Sequence, residues 1–394
     1  MIKFIDLQDM HRQKNILAFI GDNYNSQIDQ IEHYLPLHLS RYYNVTVFEF
    51  PRINRTLTLL AKRNKLIENL NQRLTVFHSF AVFPFGKTFI LFNLLNHLLN
   101  YWLLTYLLKE KYDLIISLTP EAAFLPNPGR IPLIYHVLDE YGALPWWNNF
   151  FARKQLKFLE KEAVARCRKI IVVSEKLKEK FIASKKRISL FPTPVEIEQF
   201  FVRGITEIPD DLRKLPKPII GFAGSITFKN KIWEELLEEL MKTIPDASLV
   251  LIGIIRDEVF NIRHYVGKYP NFYYLGLKKK EEIPQYIKRF NLGIIPYKLN
   301  SYGQAAYPVK VMEYLSCGIP VVASDMPSLS ELKKKKLIYT AKTSQEFVKN
   351  CQIAINENSL ILRQKRINLA KLYSWPIQIK NYLKLIEIKS YAKT

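Results

Sequence analysis

Cysteine is scarce in this sequence of 394 residues, which contains only Cys167, Cys317 and Cys351. Three cysteines without metal-type spacing argue against both a disulfide framework and a zinc module, and they favour a reducing compartment. The first residues, MIKFIDLQDMHRQK, lack the apolar run that a secretory signal peptide needs. We therefore expect a cytoplasmic protein.

Acidic residues are also few. The sequence contains 36 Asp and Glu but 58 Lys and Arg, which gives a net charge of +22. Such a surface attracts anionic lipid, nucleic acid or acidic glycans. A generally lysine-rich composition is the alternative explanation. No RNA-recognition, zinc-finger or helix-turn-helix pattern accompanies the charge, so nucleic acid is disfavoured. We expect the charge to hold the protein peripherally on an anionic membrane surface, the inner face of the plasma membrane.

Charged residues are missing altogether from residues 88–108, a stretch of the length of a membrane span. Asn93, Asn96, His97 and Asn100 recur within it at helical spacing and form one polar stripe. Facing lipid with these groups would be costly. The pattern predicts an amphipathic helix partly buried in its domain, with docking of the apolar face on a membrane as the alternative.

Short apolar runs alternate with longer helical segments along the chain. This alternation predicts parallel sheets covered by helices, an α/β fold, and the length suits two domains. The segment 52–73 is highly charged and predicts helix or loop. We place the domain boundary after residue 195, which gives domains at 1–195 and 196–375.

The stretch from Tyr302 to Asp325, YGQAAYPVKVMEYLSCGIPVVASD, contains the strongest functional pattern. A polar loop leads into a helix from about Pro308, and proline suits a first helical turn. Gly318 follows the helix, where a left-handed cap is usual. A short buried strand, Val321 to Ala323, comes next. Ligands of open α/β sheets bind at helix N-termini and strand carboxyl ends, so this loop and helix predict a binding site.

Lys310 and Glu313 lie about one turn apart on nearly the same face of this predicted helix. An ammonium group beside helix N–H groups suits phosphate. A carboxylate instead accepts two hydrogen bonds from a vicinal diol such as ribose. The pair predicts a nucleoside diphosphate site, and the alternative is an ordinary solvated Lys–Glu pair.

Residues 308–323, PVKVMEYLSCGIPVVA, resemble the donor-site signature of GT-B glycosyltransferases, in particular the family 4-like enzymes of bacterial envelope and exopolysaccharide synthesis. The resemblance implies two Rossmann-like doubly wound domains facing a central cleft. It also implies that residues 376–394 cross back onto the first domain. The activity implied is transfer of a hexose from a UDP- or GDP-linked sugar to a lipid-linked or polysaccharide acceptor in cell-envelope glycan synthesis. No cofactor and no metal are expected.

The resemblance also assigns the donor-binding residues. It implies that Glu313 holds the donor ribose and that the preceding loop, with Tyr307 and Pro308, faces the diphosphate and sugar together with Lys310. Glycine in a strand-to-helix turn lets a backbone approach a ligand closely, and such a turn occurs at Gly224 and Ser225. The resemblance implies that a basic residue shortly after this turn grips the diphosphate, and both Lys229 and Lys231 are candidates.

The acceptor side of the cleft is expected at strand ends of the first domain. A strand delivers Asp139, Glu140 and Tyr141 to its carboxyl end, where catalytic residues of α/β folds gather. Asp139 is the candidate base that accepts the proton of the attacking hydroxyl group, with a plain capping role as the alternative. Tyr141 is assigned to the acceptor side. The resemblance implies that the turn at Gly21 and Asp22 also faces the cleft, with an ordinary strand-to-helix turn as the alternative.

The sequence departs from the family pattern at one position. Retaining members carry a second glutamate eight residues before the ribose-binding one, and Ala305 occupies that position here. The sequence therefore does not decide whether the transfer retains or inverts the configuration at the anomeric carbon, and it does not identify the sugar. Two other functions also stay open, a sugar-nucleotide epimerase of the same fold and a non-catalytic nucleotide-binding protein. Turnover of the donor without an acceptor would select the first, and binding without turnover the second.

Overall fold

Two β-sheets, one in each half of the chain, form the framework of the protein. The computed structural model describes residues 14–21, 24, 31–50, 66–84, 89–108, 111–121, 131–147, 149–201, 207–256 and 258–387. The strands of the first sheet are β1 Asn15–Ile20, β2 Asn44–Glu49, β3 Ile67–Asn71, β4 Leu74–Phe77, β5 Leu114–Ser117, β6 Leu133–Val137, β7 Lys169–Val172 and β8 Arg187–Leu190. The strands of the second are β9 Ile219–Ala223, β10 Ser248–Ile252, β11 Phe272–Tyr274, β12 Leu292–Ile295, β13 Val321–Ser324 and β14 Tyr339–Ala341.

Helices cover both faces of the sheets. In the first half they are α1 Ile31–Leu39, α2 Ile90–Leu108, α3 Phe150–Arg166 and α4 Glu175–Phe181. In the second half they are α5 Glu198–Phe201, α6 Asp210–Arg213, α7 Glu234–Thr243, α8 Ile262–Lys268, α9 Ile283–Ile287, α10 Ser301–Ala305, α11 Lys310–Ser316, α12 Ser330–Lys334, α13 Ser344–Ile355, α14 Leu360–Leu372 and α15 Trp375–Leu385. The predicted α/β architecture of two doubly wound, Rossmann-like domains is confirmed.

The strand order fixes where a ligand can bind. It is β3-β4-β2-β1-β5-β6-β7-β8 in the first sheet and β11-β10-β9-β12-β13-β14 in the second. All described pairs are parallel except β3 with β4. The order reverses between β1 and β5 and between β9 and β12. Because open α/β sheets bind ligands outside strand carboxyl ends at such points, the site is expected in these two crevices.

The prediction for the charged segment 52–73 is wrong at its end, where β3 pairs antiparallel with β4 at the edge of the first sheet. An exposed edge strand needs few apolar residues, and most of β3 is exposed, so its sequence carries no apolar run. Residues 52–65 lie outside the described part of the chain. The predicted boundary at residue 195 falls in the connection between β8 and β9 and stays a prediction.

The helix α15 packs on the first sheet, although it follows the second in sequence. Its buried Trp375, Ile379 and Tyr382 share one apolar cluster with β1, β2 and α1. The Tyr382 hydroxyl group lies 3.2 Å from Nδ1 of His136, which is buried in the middle of β6. The His38 ring of α1 stacks on Trp375 with ring centres 5.0 Å apart. These contacts tie the end of the described chain to the first domain.

The opposite face of the first sheet is covered by α2, α3 and α4, through an apolar cluster that includes Tyr101, Leu104 and Ala163. The predicted amphipathic helix at 88–108 exists as α2. Its polar stripe faces the domain, where Asn93, Asn96, His97 and Asn100 are all buried. Within the described residues, no helix combines the length and apolarity needed to cross a membrane.

Candidate functional site

A cavity of about 220 Å³ lies at the carboxyl ends of the second sheet and reaches across to the first. Its walls come from the ends of β9 and β10, the segments after β11 and β12 and the segment leading into α11, while the segment after β6 contributes Asp139. The lining residues are Asp139, Gln199, Ala223, Gly224, Ser225, Lys231, Ile252, Gly253, Ile254, Leu277, Lys278, Lys280, Ile283, Tyr297, Tyr302, Ala306, Tyr307, Pro308, Val309, Lys310 and Glu313. Most predicted donor residues therefore line one cavity.

The segment leading into α11 folds locally as the sequence indicates, with a small shift. The helix begins at Lys310, so Pro308 lies in the approach to it and not in its first turn. Gly318 adopts φ of +73°, the left-handed conformation expected after a helix, and β13 follows. No side chain caps the start of α11. Lys310 and Glu313 of its first turn line the cavity beside Pro308 and Val309.

Glu313 and Lys310 form a two-pronged ion pair at the cavity wall. Nζ of Lys310 lies 2.9 Å from Oε1 and 3.0 Å from Oε2 of Glu313. The Glu313 carboxylate is almost completely buried, whereas the Lys310 side chain is partly exposed. The pair is therefore not the solvated surface pair that was the alternative. The Glu313 side chain lines the cavity, and a carboxylate is the kind of acceptor that binds a diol.

The turn after β9 brings backbone atoms to the cavity through a close approach of two glycines. Gly253 has φ of +133°, and a Cβ atom there would lie 2.2 Å from the carbonyl oxygen of Gly224. Only glycine tolerates both the conformation and the contact. The approach leaves Gly224 and Ser225 at the cavity wall, opposite Lys310 and Glu313.

The structure separates the two candidate lysines. Lys231 is buried, and its Nζ donates a 2.7 Å hydrogen bond to the carbonyl oxygen of Ser225 at the cavity. The same Nζ lies 5.6 Å from the ring centre of Phe228 and 5.5 Å from that of Tyr297. Burial lowers the pKa of the Lys231 ammonium to about 8, although the negative charge of Asp139 opposes the shift. Lys229 is exposed and does not line the cavity.

Among the described residues of the first domain, Asp139 lines the cavity. It follows the end of β6, and its electrostatic neighbours include Lys231 across the cleft. Burial raises the pKa of the Asp139 carboxyl group to about 6, against the opposing charge of Lys231. Within the described chain no hydrogen bond holds this carboxylate, which leaves it able to accept a proton from a bound hydroxyl group.

Two other acceptor-side residues, Gly21 and Tyr141, do not line the cavity. The Tyr141 hydroxyl group donates a 2.8 Å hydrogen bond to the carbonyl oxygen of Leu118, and burial raises the pKa of Tyr141 well above its usual value. The N–H of Gly21 donates to Oε1 of Glu32 at 2.6 Å. Asp22 lies outside the described residues. The structure therefore gathers Asp139 with the donor residues and leaves Gly21 and Tyr141 outside the cavity lining.

Sequence reasoning missed two tyrosines that close the cavity. Tyr297 follows the end of β12, and Tyr302 lies in α10, with ring centres 6.3 Å apart. Both tyrosines follow β12, which lies beside β9 where the strand order reverses. Ligands bind at such a point, so this position in the sequence is the signal that could have identified them. Ala305 is buried against the cluster of the first domain, and its carbonyl oxygen accepts a 2.6 Å hydrogen bond from Oγ of Ser174. This position therefore forms an interdomain contact.

Comparisons with known proteins agree with this geometry. Residues 217–357 match the family model "Glycosyl transferases group 1". The putative teichuronic acid biosynthesis glycosyltransferase TuaH of Bacillus subtilis is 25% identical over 249 residues, which span 61% of this chain and 62% of that protein. The aligned part is thus less than two thirds of that relative.

Similar solved structures extend over nearly the whole chain. Sucrose-phosphate synthase of Thermosynechococcus elongatus superposes with a TM-score of 0.71 and 15% identity, over 95% of this chain and 98% of that one. HepE of Anabaena in complex with UDP superposes with a TM-score of 0.67 and 16% identity, over 95% of this chain and 99% of that one. Similarity at this identity establishes the fold. The chain has the GT-B fold, and residues 217–357 of its second half are similar to the group 1 glycosyl transferases.

Proposed function

We propose that the protein is a glycosyltransferase that moves a hexose from a nucleoside diphosphate sugar to a lipid-linked or polysaccharide acceptor of the cell envelope. The observation that carries this is one cavity lined by Asp139, Lys231, Lys310 and Glu313, in which Asp139 and Lys231 are electrostatic neighbours. The HepE structure with bound UDP supports a UDP-linked donor, and the teichuronic acid relative supports an envelope acceptor.

The site residues suit each part of this reaction. The Glu313 carboxylate would accept hydrogen bonds from the ribose diol, and the Lys231 and Lys310 ammonium groups would neutralise the diphosphate. The acceptor oxygen would attack the anomeric carbon while the bond from that carbon to the diphosphate oxygen breaks. Asp139 would take the hydroxyl proton, and the electron pair of the broken bond would stay on the diphosphate. Fixed positive charge at the leaving group stabilises the transition state most.

We expect Glu313→Gln to weaken the binding of UDP or GDP about tenfold or more. The substitution removes a buried charged acceptor, and a hydrogen bond to a charged group contributes about 1.5–3 kcal/mol. The amide also breaks the ion pair with Lys310. Titration calorimetry with UDP, GDP and ADP measures the affinity for each nucleotide and so identifies which nucleobase the site prefers.

The matched control is Glu179→Gln, which removes an exposed glutamate paired with Lys176 three residues away, at 2.8 Å. This variant should bind the nucleotide as the unchanged protein does. Thermal melting of both variants without ligand separates lost binding from lost folding. Equal affinities in the two variants would show that Glu313 does not bind the nucleotide.

Two other functions have different outcomes. Isomerisation of the donor sugar without an acceptor would indicate an epimerase, and nucleotide binding without any turnover would indicate a non-catalytic binding protein.

We also expect sugar transfer to continue in excess EDTA. The proposed mechanism neutralises the leaving diphosphate with Lys231 and Lys310, so it requires no divalent cation. The measurement is the initial rate of transfer with EDTA and after adding back Mg²⁺ or Mn²⁺. A rate that collapses in EDTA and returns with the metal would contradict this part of the proposal.

A further inference from the structure

The helix α2 has its polar side inside and its apolar side outside. Asn96 and Asn100 face the segment after β4 and bond its backbone. Oδ1 of Asn96 accepts from the N–H groups of Val82 and Phe83 at 2.9 and 3.0 Å, and its Nδ2 donates to the carbonyl oxygen of Phe83 at 2.8 Å. Asn100 bonds both the N–H and the carbonyl oxygen of Phe80, at 2.9 and 2.6 Å. Rotation of α2 about its axis would break all these bonds, so the orientation is fixed.

The outward side of α2 is apolar and aromatic. We call it the α2 apolar face, and its exposed residues are Ile90, Leu91, Leu98, Leu99, Trp102 and Tyr106. Trp102 and Tyr106 are each 61% exposed and stack with ring centres 5.6 Å apart. No charged residue lies within α2. Large apolar patches on a surface mark interaction sites, and Trp and Tyr are enriched where protein meets the membrane interface.

A basic surface lies on the same side of the first sheet as this face. The helix α3 covers the same side of the first sheet and shares an apolar cluster with α2. Its exposed Lys154, Lys157 and Lys161 recur at helical spacing, and Phe150 and Phe151 are exposed at its start. An apolar face beside exposed lysines complements an anionic lipid surface, which takes apolar groups below its headgroups and attracts ammonium groups.

We propose that the α2 apolar face and the lysines of α3 together dock the protein on an anionic bilayer. A second copy of this chain fits less well, because a symmetric contact would bring the lysines of α3 close to one another. The start of α3 lies on the carboxyl-end side of the sheet, as Asp139 does, so the docking surface extends toward the side of the cleft that holds Asp139. The inference deepens the proposed function, on which its role in supplying a lipid-linked acceptor rests.

The test is co-sedimentation with vesicles of phosphatidylglycerol and phosphatidylethanolamine. We expect Trp102→Gln/Tyr106→Gln to lower vesicle binding about tenfold or more, because two side chains no longer enter the interface. The matched control is Leu360→Gln/Ile361→Gln, which changes two exposed apolar residues of α14 that are 76% and 70% exposed. The control should bind as the unchanged protein does. Equal binding by the two double variants would overturn the proposal.

A second arm tests the basic surface and the rival occupant. Lys154→Glu/Lys157→Glu should lower binding to the anionic vesicles by a similar factor, and phosphatidylcholine vesicles should bind every form weakly. Light scattering reports the mass of each form. A dimer that only the α2 variant dissociates, with vesicle binding unchanged, would show that the face joins two copies and would overturn the membrane assignment. Nucleotide affinity, measured in parallel, should stay constant, so failure here is distinct from failure of the glycosyltransferase proposal.

Discussion

Replacing Lys231 by methionine is expected to slow sugar transfer about a hundredfold or more and to leave the fold intact. Removing one group that stabilises charge developing in a transition state costs a factor of about this size. Methionine has nearly the length of lysine without its charge, so it can stay between the rings of Phe228 and Tyr297. The measurement is kcat with a saturating donor, together with the melting temperature of the free protein.

The control for this variant is two residues away in the sequence. Lys229→Met makes the same chemical change at an exposed lysine outside the cavity, so transfer should proceed at the original rate. Lys231→Arg restores a permanent charge and should recover part of the activity. Similar losses at both lysines would mean that general surface charge, and no contact in the cavity, is responsible.

Much of the second domain could be predicted from the sequence because its signals are local. Strands β9, β10 and β12 are buried on both faces, so each is a short uninterrupted apolar run. The end of α11 is equally local, since Gly318 alone provides the left-handed conformation. Spacing could also place Lys310 and Glu313 on one helix face. It could not show that they form an ion pair at the wall of a cavity.

The features that escaped prediction depend on contacts between distant parts of the chain. The choice between Lys229 and Lys231 depends on rings at positions 228 and 297 and on the first domain across the cleft. The orientation of α2 depends on unpaired backbone groups after β4, which Asn96 and Asn100 satisfy. Periodicity identifies two faces of a helix, and only the packed structure shows which one is buried.

Asp139 is likewise brought to the cavity by contacts between distant parts of the chain. We expect Asp139→Asn to slow transfer about a hundredfold to ten-thousandfold. The amide keeps the shape of the carboxylate but cannot take the proton of the attacking hydroxyl group. The control is Glu140→Gln, which changes the neighbouring carboxylate, paired with Lys180 at 2.7 Å and outside the cavity. This variant should retain most of its activity. Equal losses of transfer rate in Asp139→Asn and Glu140→Gln would show that Asp139 is not the catalytic base.

The pH profile distinguishes a base from a residue that only shapes the site. Burial raises the pKa of Asp139 to about 6, so the carboxylate is protonated and unable to act as pH falls through that value. Burial lowers the pKa of Lys231 to about 8, so its positive charge is lost as pH rises through that value. Plotted against pH, kcat/KM should therefore form a bell with its plateau between these limits. Asp139→Asn should abolish the acid limb, and Lys231→Arg should move the alkaline limb beyond the measured range. An acid limb that persists in Asp139→Asn would assign the base to another residue.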